Sequence, residues 1–202
     1  PRPGAAAAYS GHYPTIQTIN RFRDGVTEQY RLAIANKENI IKRHNAFTSY
    51  CLGMLLLCTG HRPTKDPFSS IKHFKLDKGV LLICDKATDQ ERAWRLVALP
   101  PMAVSQMRVY LDYLPKLAAH LQGEDNSSDL PQRIVRMVSG EADILPLFFF
   151  LSNRGRLKQI SVSKSKLAKH WSLFWPLPVY FLRHIMATML LRQTNRADYV
   201  QI

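Results

Sequence analysis

The sequence predicts a mainly α fold with a small antiparallel β-sheet, the α+β class, and three observations predict it. The run 46–58 is apolar on nearly every side, as a helix at the centre of a core must be. Three short β-type segments follow at 71–76, 80–84 and 94–99, the first two joined by the turn residues Asp77-Lys78-Gly79. Helical spacing then returns and holds through most of the remaining chain.

Taken in order, residues 1–14 are rich in Pro, Gly and Ala and read as an arm or linker remnant, and 15–36 as a polar helix interrupted at Asp24-Gly25. The main domain is expected to be 37–202. Residues 37–58 read as a helix or helix pair; Gly60 suits its end, and Pro63 prevents continuation. Residues 85–92 form the charged tip between the second and third strands, and Pro100-Pro101 closes the sheet and permits a helix start. The helix at 102–121 contains Pro115, which predicts a kink or break. After a polar loop at 123–128, another helix begins at Arg133, and 147–151 is a short buried run. Asn153-Arg154-Gly155 turns into a Lys-rich helix at 161–171, with Trp171 and Trp175 as core aromatics. Pro178 fits the first position of a helix reaching Leu191, whose missing donor would be unpaired there in any case. On that helix Tyr180, Arg183 and His184 share one face, and Met186, Met189 and Leu190 cover the buried side. Asn195 can end it, and a further segment starts near Asp198.

Composition narrows the function. The 202 residues are 46% hydrophobic, enough for a substantial core. Twenty-eight Lys and Arg against 15 Asp and Glu leave a formal charge of +13, which points to a polyanionic partner, nucleic acid before anionic membrane. No apolar stretch approaches the roughly twenty residues of a membrane span. The opening residues lack a signal-peptide core, and three cysteines without C-x-x-C spacing suit a reducing interior, so an intracellular, cytoplasmic, DNA-associated protein is expected. Seven scattered histidines show no ligand spacing, so neither a metal site nor a cofactor is expected. The missing initiator Met suggests an excerpt or a processed chain.

Two arginine segments stand out, Thr59-Gly60-His61-Arg62 after the apolar helix and Leu182-Arg183-His184 far downstream. An arginine fork stays charged and makes paired hydrogen bonds to phosphate. Between them lie the strand-turn-strand with Lys86 near its tip, Leu147-Phe148 and Arg154-Gly155, and after Arg183 come Ala187-Thr188. These pieces, in this order over residue 36 to the end, resemble the catalytic domain of the tyrosine recombinase, or phage-integrase, family.

The resemblance implies an integrase-type fold and a DNA breaking and rejoining reaction through a phosphotyrosyl intermediate, without metal or cofactor. Arg62 and Arg183 would hold the phosphate, and Lys86 would protonate the leaving 5′ oxygen. Tyr180 stands where the family usually has histidine; it can donate a hydrogen bond but is poorly suited as a base near neutral pH. His184 and Asp66 would support the site, although Lys65 takes the place usual for the acid and Asp66 follows it. The family's G-H pair and nucleophilic tyrosine have no counterpart here, and Tyr199 is too close to Arg183 to serve, so the resemblance implies an incomplete C-terminal end. A catalytically inactive, integrase-derived DNA-binding protein is the alternative, as is a basic nucleic-acid-binding module unrelated to recombinases. Lys164, Lys166 and Lys169 form a basic stripe at helical spacing, suited to double-stranded DNA or simply to solvent. Self-association on DNA is expected from the resemblance.

Overall fold

The computed structural model describes residues 15–84, 94–124, 128–141, 144–153 and 157–194. Helix α1, Ile16–Ala35, begins at Thr15, whose side chain accepts the N–H of Thr18 at 3.1 Å. It runs unbroken through Asp24-Gly25, where the sequence suggested an interruption. The glycine answers to packing: a Cβ at Gly25 would overlap the ring of Phe174. Phe22 and Val26 of α1 are buried in the same core as the helix that follows, so the polar helix packs with the remainder of the chain.

Helix α2, Ile40–Thr59, is a single helix capped by Asn39, and twelve of its residues are buried. Gly60 ends it in the left-handed conformation, φ 60°, ψ 20°, and its N–H returns to the carbonyl of Leu56 at 3.0 Å. Phe47, Leu52, Leu55 and Leu56 place this helix at the middle of the core, as its all-round apolar pattern requires.

Strands β1 (Phe74–Lys75), β2 (Val80–Cys84) and β3 (Trp94–Ala98) form an antiparallel sheet in sequence order. The first strand is shorter than expected, because Ile71–His73 winds into a 3-10 turn capped by Ser70. Phe74 pairs with Leu81 and Leu81 with Val97, which sets these apolar residues on the inward face. Trp94, Leu96 and Ala98 face out.

Helix α3, Pro101–Glu124, passes through Pro115 without ending, so of the expected kink or break the break does not occur. Pro115 sits on the exposed side, where a carbonyl deprived of its helical donor can turn to water. Helix α4, Leu130–Val138, starts three residues earlier than expected and packs on α3 through Leu130, Ile134 and Met137.

A second hairpin, β4 (Phe149–Ser152) with β5 (Lys158–Ser161), was not anticipated. Helix α5 consequently spans Lys164–Trp171 rather than starting at 161. Trp171 closes the core against Phe22 at a ring separation of 5.0 Å, and its Nε1 donates to Ser49 Oγ at 2.7 Å. Trp175 meets Phe22 at 4.9 Å, so both tryptophans are core residues.

Helix α6, Phe181–Thr194, starts three residues after Pro178. The bonds entering it, Phe181 N to Pro178 O, Leu182 N to Val179 O and Arg183 N to Tyr180 O, span three residues, so Pro178 to Tyr180 form a tight lead-in turn. Its buried side is Phe181, Leu182 and Ile185; Met186, Met189 and Leu190 are only half-buried. Among the described residues no helix is long and apolar enough to cross a membrane.

Candidate phosphate site at the end of α2

The end of α2 exposes carbonyls that its own turns cannot satisfy, and basic side chains answer them. Thr59 folds its hydroxyl back to the Leu55 carbonyl at 2.7 Å and accepts the N–H of His61 at 3.2 Å. Arg183, buried at 6% exposure on α6, donates from Nη1 to the Gly60 carbonyl at 2.9 Å. From β3, Arg95 reaches the Thr59 carbonyl with Nη2 at 3.4 Å. Gly60 leaves room for this convergence: a Cβ there would meet Met186 of α6 at 3.2 Å.

Two residues beyond Gly60 comes Arg62, half-buried, in a segment turned by the bond from Thr64 N to the Arg62 carbonyl at 2.8 Å. Its Nε is buried and has no hydrogen-bond partner among the described residues. A buried donor left so costs about 1–3 kcal/mol. The structure therefore brings the Arg183 guanidinium against the segment that carries Arg62.

Tyr180 and His184 meet edge to face with ring centroids 5.0 Å apart, the contact their spacing predicted, although Tyr180 lies in the turn before α6. Burial and the neighbouring Arg183 charge lower the His184 pKa from its ordinary value, so the imidazole is neutral near pH 7. Asp66 stands at φ 47° and pairs twice with Val162 at the end of β5. Its Oδ1 accepts the Val162 N–H at 2.8 Å, and its own N–H donates to the Val162 carbonyl at 2.9 Å. Lys65 is exposed beside it.

Lys86 and the Arg154-Gly155 turn lie outside the described residues, as do Asn195, Asp198 and Tyr199. On α5, Lys164 and Lys169 are exposed, whereas Lys166 turns back to give its Nζ to the Ser161 carbonyl at 2.7 Å. Arg95 was not singled out as a site residue from the sequence. Its signal was the alternation with Val97, which puts it on the inward face of β3 opposite Ile83. Among the described residues no group of three His, Cys, Asp or Glu side chains could hold a metal.

No protein-family model matches the sequence, and no curated protein matches it. Among solved structures, the crystal structure of XerA recombinase matches with a TM-score of 0.55 and 18% identity, over 94% of this chain and 54% of that one. The chain is similar in fold to a recombinase. It spans about half the length of the XerA chain, and at this identity the likeness is one of fold: helices with small antiparallel sheets arranged alike.

Proposed function

We propose that this chain is the phosphate-holding part of a DNA strand breaking and rejoining enzyme of the tyrosine-recombinase type. The carrying observation is the 2.9 Å bond from Arg183 to the Gly60 carbonyl, which ties together two arginine segments 123 residues apart. Arg62 and Arg183 face the two non-bridging oxygens of a DNA phosphate. As the phosphorus becomes five-coordinate, negative charge builds on those oxygens, and fixed cationic donors lower the barrier by roughly 3 kcal/mol each. Tyr180 donates a neutral hydrogen bond there, and Lys86 protonates the departing 5′ oxygen. His184 and Asp66 hold the arginine segments in place. The attacking tyrosine is not among the residues assigned a role in this sequence. Exposed Lys164 and Lys169 meet the duplex backbone, and copies associate on DNA. The fold likeness to XerA recombinase supports the reading.

The second reading, an integrase-derived DNA-binding protein without chemistry, is favoured by Tyr180 in the histidine position. A nicked duplex that traps covalent protein–DNA adducts, incubated with the full-length protein and resolved under denaturing conditions, separates the two. An adduct that disappears with Arg62→Ala is expected for the enzyme. Duplex binding that weakens with Arg62→Ala and falls steeply with salt, but gives no adduct, supports the second reading. Duplex binding indifferent to Arg62→Ala and Arg183→Lys overturns both.

A further inference from the structure

At the other end of α2 lies a cavity of about 340 Å³ between α1, α2 and α3. Its aromatic wall is Tyr30, Phe47 and Tyr113: Tyr30 stacks on Phe47 at 4.7 Å and 14°, and Tyr113 meets Phe47 edge-on at 5.1 Å. Its basic residues are Arg43, Lys116 and His120, and none of the described side chains lining it is acidic. Arg43 is half-buried with an Nε that has no hydrogen-bond partner among the described residues. The charge of Arg43 acts on both Tyr30 and Tyr113, opposing the upward push that burial gives their phenols.

The half-buried Tyr30 and Tyr113, set over the buried Phe47, offer a planar ring favourable contact, and an arginine fork with a second cation suits a phosphate. The volume lies at the small end of ligand cavities, which run about 300–1,000 Å³. We infer that this cavity binds a nucleotide, with the base against Tyr30 and Tyr113 and the phosphate between Arg43, Lys116 and His120. An aliphatic anion leaves the aromatic wall unused, and an uncharged ring leaves the cations Arg43 and Lys116 without a counter-charge. Arg43 lies 17 residues before Gly60 on one continuous helix, roughly 25 Å away at helical rise, so this is a site separate from that of Arg62 and Arg183. The ligand is a free mononucleotide or an unstacked nucleotide of a single strand; the recognition chemistry is shared.

The test is a titration of the 202-residue chain with adenosine 5′-monophosphate, followed by calorimetry and by amide chemical shifts. Saturable binding is expected, with shifts at Tyr30, Tyr113 and His120, and adenosine without phosphate should bind at least about tenfold more weakly. Lys116→Glu, an exposed change that spares the core, should weaken binding at least about tenfold at unchanged melting temperature, and Arg43→Gln should do so independently. Arg62→Ala should leave the affinity unaltered. A short single-stranded DNA that displaces the mononucleotide identifies the strand as the source; one that does not identifies the free nucleotide. Absence of saturable binding at millimolar concentration overturns the inference. So do equal affinity for adenosine, indifference to both pocket variants, and loss of binding with Arg62→Ala.

Discussion

His44 sits fully buried on α2, with Nε2 3.0 Å from the Phe149 carbonyl and Nδ1 3.3 Å from the Tyr113 hydroxyl. The carbonyl can only accept, so Nε2 carries the proton and Nδ1 receives the hydroxyl of Tyr113. Burial lowers the pKa of this imidazole from 6.5 to about 4. In the unfolded chain it titrates at its ordinary value. Between those limits the unfolded state takes up a proton that the folded state refuses, so the stability present above pH 6.5 is lost as the solution is acidified. At about 1.36 kcal/mol per unit of pKa difference, moving from pH 7.5 to pH 5 costs about 2 kcal/mol through this one group. Urea unfolding of the native protein and of His44→Gln at both pH values measures it. The native protein should lose about 2 kcal/mol more than the variant over that interval. His170 and His184, whose pKa values are also lowered, are present in both proteins and cancel in the difference. Equal losses in the two proteins would refute the account of His44 as a buried neutral imidazole.

Gly60→Ala places a Cβ at φ 60° and within 3.3 Å of the Met186 Cβ, and thermal unfolding should show a loss of about 1–2 kcal/mol. Adding Met186→Ala should return only the part due to the Cγ contact at 3.2 Å, since alanine keeps the Cβ and the backbone strain remains. Trp171→Phe removes the Nε1 bond to buried Ser49 and should cost about 1–3 kcal/mol in denaturant unfolding. In the Ser49→Ala background the same change should cost less, because no hydroxyl is then left without its donor.

Features that depend on residue spacing were legible. The buried α2 and its glycine cap, the three-stranded sheet, the helix order and the pairing of Tyr180 with His184 all follow from periodicity or turn chemistry. The second hairpin was not. Phe149, Phe150 and Leu151 are all buried, so β4 shows no alternation, while β5 is the polar stretch Lys158-Gln159-Ile160-Ser161. Gly25 and Pro115 misled for a common reason: local propensity marks them as breakers, but the close approach of Phe174 and the exposed side of α3 accommodate them. At the candidate site, sequence supplied the arginines but not their acceptors. The link from Arg183 to Gly60 and the reach of Arg95 to Thr59 are tertiary contacts to backbone carbonyls, which carry no residue signature.

The segment bearing Arg62 is anchored on both sides: its Gly60 carbonyl is held from α6, and Asp66 is paired twice with Val162 after β5, once through its N–H and once through Oδ1. Neither anchor depends on which side chains occupy residues 61–65. Mutational drift at Arg62, Thr64 and Lys65, none of them buried, can therefore change what the segment recognises while its path through space stays the same, whereas a change at Asp66, Arg183 or buried His61, packed on Phe68 at 4.9 Å, releases the path itself.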